Sequence, residues 1–199
     1  MYRSCVARAN YPAQDRLDIA YVVKEACGYM ANPTTSSWEK VKRVVRYLKG
    51  EPRVVYEYNW QNHEDISLYV DTDWAGCFKT RKSTPGGAIM RGGHLLNHWS
   101  STQQTIALSS GEAELKGIVK GAAEGLGLQS VGKDLNIHYD VHVYTDASAA
   151  MGMVARKGIG RVRHIEVGEL WIQDAVKNKV LTVNKVKGED KPADILALS

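Results

Sequence analysis

The stretch ISLYVDTDW, residues 66–74, sets the hardest condition on how this chain folds. An apolar run climbs from Ile66 and belongs in the middle of a sheet, yet it carries Asp71 and Asp73 one residue apart. Alternation along a strand puts both carboxylates on one face. Burying unpaired charge is costly, so these acids must either meet partners or do chemistry.

The surroundings give the strand its context. From residue 53 onward RVVYEY and ISLYVDTDW read as β-rich, separated by the polar turn NHED. A hairpin follows from Ser83, with GAIMRG and HLLNHWSS as arms and Gly92-Gly93 as the turn. A long helix is expected from about Ser109 to Val131, with Leu115, Ile118, Val119, Ala122 and Leu126 as its stripe. The strand DVHVYTD ends in Asp146, and ASAAMGMVA reads as a short helix. Another helix is expected near 164–176, then the strand KVLTVNKV and a last short helix from Pro192. This order predicts an α/β fold on a mixed sheet, three antiparallel strands and then two parallel strands reached by helical crossovers. In such a sheet, strand ends and helix starts gather functional groups along one edge.

The first sixty residues read differently. Ile19, Val22, Val23, Ala26, Cys27 and Met30 form one helical stripe, stopped by Pro33. Ser36 and Glu39 have the spacing of a capping box for a second helix, with Val41, Val44, Val45 and Leu48 as its buried face. Two short amphipathic helices cannot cover both stripes with each other, so something else must lie against them. The expected organisation is a helical segment over 1–60 and an α/β domain over 61–199.

Composition narrows the class. An apolar fraction of 44% excludes disorder, and a net charge of +4 over 199 residues is too mild for binding nucleic acid by overall charge. Cys5, Cys27 and Cys77 are odd in number and lack metal-type spacing, which predicts reduced thiols in an intracellular protein. No segment approaches transmembrane length, and the start MYRSCVARAN has no apolar core of the kind a secretion signal needs.

Four acids stand out by position: Asp71 in the first meander strand, Glu114 early in the long helix, Asp146 at a strand tip and Asp194 at the start of the last helix. None has a basic partner adjacent in sequence. Two carboxylates about 4 Å apart repel by roughly 4 kcal/mol at an effective dielectric near 20. If the four converge, protons or cations must enter the cluster. Hard oxygen ligands select magnesium or manganese, and a pair of such ions is the usual clamp for cutting phosphodiesters.

The blocks YVDTDWAG, TRKSTPGG, WSSTQQTIALSSGEAEL, YTDASAA, RVRHIE and KPADIL, in this order, resemble the ribonuclease H domain of copia-type LTR retrotransposon Pol polyproteins. YRS, LDIAY, PTTSSW and KRVVRYLKG resemble the tail of the reverse transcriptase that precedes it, without the polymerase's own catalytic aspartates. The resemblance covers about 66–198 for the first family segment. It implies a ribonuclease H-like five-stranded sheet and a metal-dependent endonuclease that hydrolyses the RNA strand of RNA–DNA hybrids, leaving 5′ phosphates. It also implies Asp71, Glu114, Asp146 and Asp194 as catalytic residues and ligands of two Mg2+ ions, or of Mn2+. Asp71 would reach both ions, Glu114 and Asp146 would hold the one near the attacking water, and Asp194 the other. The implied partners are the hybrid and the reverse transcriptase portion of the same polyprotein, in cytoplasmic virus-like particles or the nucleus.

Two choices stay open on the residues alone. Asp73 shares a face with Asp71, and the apolar stripe favours Glu112 on the inner side of its helix. The resemblance selects Asp71 and Glu114 and leaves Glu112 to the helix start. Arg81 and Lys82, in KTRK, and Arg161, Arg163 and His164, after Arg156-Lys157, are candidate contacts to hybrid phosphates. The pairs His94/His98 and His138/His142 fall in expected strands or turns, where a four-residue spacing does not bring side chains together. Trp74 and Trp99 read as packing residues. The chain departs from the family at Ala147, where Asn is common, and at Leu170 and Gln173, where His and Arg are common. Those departures give weight to an alternative reading, a catalytically inactive module that binds nucleic acid or packs against a polymerase.

Overall fold

The computed structural model describes residues 1–62, 65–77, 80–158, 160 and 167–188, and the chain divides into two units, Met1–Asn59 and Trp60–Ser199. The first unit is helical: α1 (Tyr2–Asn10), a 3-10 turn (Pro12–Gln14), α2 (Leu17–Cys27) and α3 (Thr35–Gly50). The element that covers the stripes of α2 and α3 is α1. Tyr2 and Val6 are buried with Ala26 and Val41, and the Tyr2 hydroxyl donates to the Ala26 carbonyl at 2.9 Å. With only two buried side chains among its nine residues, α1 has too weak a stripe to read from the sequence.

The start of α3 corrects the expected capping box. Thr34, extended, is the cap: its Oγ1 accepts from Ser37 N at 3.1 Å while Ser37 Oγ accepts from Thr34 N at 2.9 Å. Glu39, freed from that role, pairs with Lys42 at 2.7 Å. The helix therefore begins ahead of Ser36, one residue after Thr34.

RVVYEY is a second correction. Residues 51–62 contain no strand, and Val55 and Tyr58 are exposed. β-propensity describes fitness for a pleated, half-buried surface; without a neighbouring strand the pattern produces no ladder.

The second unit has the expected ribonuclease H-like fold. Strands β1 (Asp65–Asp73), β2 (Thr84–Arg91), β3 (His94–Ser100), β4 (Asp140–Thr145) and β5 (Thr182–Lys185) form one sheet in the order β3-β2-β1-β4-β5. β1 pairs antiparallel with β2 and β2 with β3; β1 pairs parallel with β4 and β4 with β5. Helix α4 (Ser110–Asp134) makes the crossover to β4, and α5 (Ser148–Ala155) and α6 (Trp171–Lys177) make the crossover to β5. The helix expected from Pro192 lies outside the described residues.

Alternation in β1 turns Ile66, Leu68 and Val70 into the core, where they meet Ile118 and Ala122 of α4 and Val143 of β4. Close approach of α4 to this strand depends on two glycines. A Cβ on Gly117 would come to 2.6 Å from Thr72 Oγ1, and one on Gly121 to 2.6 Å from Val70 Cγ1. The first turns of α4 are thereby held against the carboxyl end of β1. No described helix is long and apolar enough to cross a membrane.

Candidate metal centre

Three elements deliver one carboxylate each. Asp71 is near the end of β1, opposite Gly86 of β2, so no side chain across the ladder competes for its space. Glu114 lies in the second turn of α4, on the helix that the glycine contacts press against β1. Asp146 is the residue after β4, the nearest parallel neighbour of β1. One oxygen from each lies within 4.8 Å of the others; Asp71 and Glu114 are half-buried and Asp146 is exposed. Asp194 lies outside the described residues.

At such spacing each pair of charges repels by roughly 3 kcal/mol at an effective dielectric near 20. Solvent at the exposed Asp146 reduces that figure, and a cation between the three oxygens would offset what is left. An all-oxygen, anionic donor set of this kind suits a hard divalent cation such as Mg2+ or Mn2+ and not a thiophilic one. The residues present therefore fit the metal that the resemblance implies.

Asp73 and Glu112 do not belong to this group. Asp73 Oδ2 is buried and, among the described residues, makes no hydrogen bond. Glu112 is inside the fold, 3% exposed, as the apolar stripe suggests, yet it points elsewhere. Its Oε2 accepts from Leu108 N at 2.7 Å, its own N–H donates to Ser109 Oγ at 3.2 Å, and its Oε1 is 3.2 Å from Lys116 Nζ. It serves the helix start, where a carboxylate also meets the positive end of the helix dipole.

A hydrogen-bonded frame holds the site's edges. Trp74 Nε1 donates to the Ala107 carbonyl at 3.2 Å, so this half-exposed ring fastens the turn after β1 to the loop before α4. Ala75 N donates to Ser83 Oγ at 3.1 Å, and buried Gln103 donates from its backbone to Ser83 O and from its side chain to Ala113 O, both at 2.8 Å. Across the sheet, Val186 N donates to Thr145 O at 3.0 Å, which sets the residue before Asp146.

Arg81 and Lys82 stand in the β1–β2 loop, where Cys77 N donates to Lys82 O and Arg81 N to Cys77 O. Arg81 is exposed with a left-handed φ of 56°, a strained setting for a residue with a Cβ. Arg161, Arg163 and His164 lie outside the described residues. Gln173 is used internally: its Oε1 accepts from Gly158 N at 2.8 Å, and its Nε2 donates to Met153 O at 2.8 Å and Gly158 O at 3.1 Å. Trp99 packs against the core. His142 Nδ1 is 2.7 Å from Thr182 Oγ1, a strand-to-strand contact.

Sequence reasoning passed over Gln103, Lys116 and Glu169. One signal was available for Lys116, the spacing of four from Glu112 that joins opposite charges on a helix face. Gln103 and Glu169 carried none, because their partners are distant in sequence.

No protein-family model matches the chain. It is 31% identical to the retrovirus-related Pol polyprotein from transposon RE2 of Arabidopsis thaliana and 30% identical to that from transposon TNT 1-94 of Nicotiana tabacum, in both cases over 98% of its length. It spans only 14% and 15% of those relatives. Among solved structures it is similar to LC11-RNase H1 in complex with RNA/DNA hybrid, at 19% identity, with 66% of this chain and 93% of that chain covered and a TM-score of 0.47.

Proposed function

This chain belongs to the retrovirus-related Pol polyproteins of copia-type transposons, and from that premise we propose that its five-stranded unit is a magnesium-dependent ribonuclease H, an endonuclease that hydrolyses the RNA strand of RNA–DNA hybrids during reverse transcription. The observation that carries this reading is the meeting of Asp71, Glu114 and Asp146, drawn from three separate elements, within 4.8 Å. Three carboxylates brought this close from separate elements make a donor set whose charge a divalent cation would compensate.

In this reading Asp71, Glu114 and Asp146 hold the metal, with Asp194 completing the set for a second ion. When bound, Mg2+ supplies a Lewis acid for the phosphoryl group and lowers the pKa of a coordinated water. Asp71, on the central strand, fixes the floor of the site. Glu114 and Asp146 orient the donors on either side of it. Arg81 and Lys82, with Arg161, Arg163 and His164, contribute positive charge toward the phosphates of the hybrid. Residues 1–60 are the end of the reverse transcriptase portion, which is the partner in the same polyprotein. The setting is intracellular, in cytoplasmic virus-like particles or the nucleus.

Incubation of the chain with a labelled RNA–DNA hybrid, with Mg2+ and with EDTA, tests this. The expected result is metal-dependent cleavage of the RNA strand to 5′-phosphate products, abolished by Asp71→Asn. Hybrid binding with no cleavage, unchanged by metal or by that substitution, would establish the inactive module instead.

A further inference from the structure

Lys116 joins three parts of the chain at one nitrogen. Its Nζ is 2.6 Å from Thr105 Oγ1, 3.2 Å from Glu112 Oε1 and 3.8 Å from Glu169 Oε1. Thr105 belongs to the loop before α4, Glu112 to the first turn of α4, and Glu169 to the 3-10 turn Val167–Glu169 that precedes α6. The lysine side chain is 11% exposed and the two carboxylates 4% and 14%, so the charges meet away from bulk solvent. Removing one member of so enclosed a set is felt by the rest.

The angular arrangement of α4 connects this cluster to Glu114. At about 100° per residue, Glu112 and Lys116 stand within roughly 40° of each other, while Glu114 between them is turned about 200° from both. The contacts of Lys116 with Glu169 and Thr105, both outside α4, clamp the Glu112/Lys116 face and therefore fix the rotation of the opposite face, where Glu114 meets Asp71 and Asp146. The helix surface lies about 5 Å from its axis, so a rotation of about 20° would move a side-chain atom by about 2 Å. That is a large fraction of the 4.8 Å within which the three oxygens meet.

We propose that Lys116 is a positioning residue for the metal centre: its ion pair with Glu169 and its hydrogen bond to Thr105, both outside α4, lock the rotation of the helix that keeps Glu114 in register with Asp71 and Asp146. The proposal rests on the reading of those carboxylates as a metal site. The lysine touches neither metal nor substrate; it acts through the helix.

The test measures Mn2+ affinity by electron paramagnetic resonance of the full chain without nucleic acid, alongside hybrid cleavage. Lys116→Met keeps the aliphatic stem and deletes the charge; Lys116→Arg keeps the charge. Circular dichroism establishes that each is folded. Expected are a loss of about 10- to 100-fold in Mn2+ affinity for Lys116→Met, the range typical of groups that orient metal ligands, and near-native affinity for Lys116→Arg. In cleavage, kcat falls while KM for the hybrid stays unchanged. A folded Lys116→Met with native Mn2+ affinity, or a Lys116→Arg as impaired as Lys116→Met, overturns the proposal. Should Lys116→Met not fold, Glu169→Gln replaces it: weakened Mn2+ binding supports the clamp, and native binding overturns it. A native chain that binds Mn2+ but cleaves no hybrid defeats the nuclease reading and leaves this one standing. A native chain that binds no Mn2+ defeats both.

Discussion

Gly121 of α4 lies so close over Val70 of β1 that a Cβ on the glycine would come to 2.6 Å from Val70 Cγ1. Val70 is fully buried and β-branched, so it has no room to yield. The substitution Gly121→Ala therefore pits a helix-propensity gain of up to about 1 kcal/mol against an overpacking cost of about 1–3 kcal/mol, and overpacking wins. Gly127, six residues along the same helix, has open space around it. Gly127→Ala is expected to stabilise the protein by up to about 1 kcal/mol. Urea titrations of the two variants should show opposite signs; equal signs would refute the close approach of α4 to β1.

The carboxylate cluster should reveal its repulsion when metal is withheld. Asp71→Asn is expected to raise the thermal midpoint by a few degrees in EDTA, since about 3 kcal/mol of repulsion per pair, reduced by solvent, is relieved. Mg2+ should then raise the midpoint of the native chain by binding only the folded state and leave that of Asp71→Asn unmoved. Differential scanning calorimetry with and without Mg2+ reads both effects, and a native chain whose midpoint ignores Mg2+ would contradict them.

Arg16 and Asp18 make a pH-dependent contribution in the helical unit. The Arg16 guanidinium donates to both Asp18 oxygens, as close as 2.6 Å, and to the Glu51 carbonyl. The hydrogen bonds from Arg16 hold the Asp18 carboxyl below its ordinary value of 3.8. A depressed folded-state pKa stabilises at higher pH; the contribution is full above the unfolded value and disappears as pH falls through the folded one. Asp18→Asn should thus be less stable than the native chain at pH 7, with the difference closing as pH drops below 3.8. Urea midpoints at pH 7, 4 and 3 measure it, and a constant difference would exclude the ion pair as its cause.

Gln173 occupies a position where the resembled family commonly has Arg, and it binds Gly158 and Met153 with both ends of its amide. Gln173→Ala leaves a backbone N–H and two carbonyls without these partners and should cost about 1–3 kcal/mol. Gln173→Arg retains donors but loses the acceptor for Gly158 N, so it should not restore stability. Denaturant midpoints of the two variants check this; full recovery in Gln173→Arg would show that the acceptor is unimportant.

The sheet was legible because its strands announce themselves locally. Buried Ile66, Leu68 and Val70 alternate with half-buried Ser67, Tyr69 and Asp71, and Gly92-Gly93 turns β2 into β3. RVVYEY carries a comparable pattern without a ladder, because strand formation needs a partner that no local pattern supplies. Glu112 marks a similar limit at the site. Periodicity placed it inside, and it is inside, but inside the fold at Leu108 and Lys116 and away from Asp71. The contacts from Gln103 to Ala113 and from Lys116 to Glu169 join separate segments, so only tertiary structure discloses them.

Anomalous diffraction from crystals soaked in Mn2+ would reveal whether Asp71, Glu114 and Asp146 together hold a divalent ion. The expected result is a manganese peak bonded to at least one oxygen of each of the three, at about 2.0–2.2 Å, the range of small hard divalent ions. Fully occupied manganese elsewhere, with these three carboxylates bare or turned apart, would contradict it.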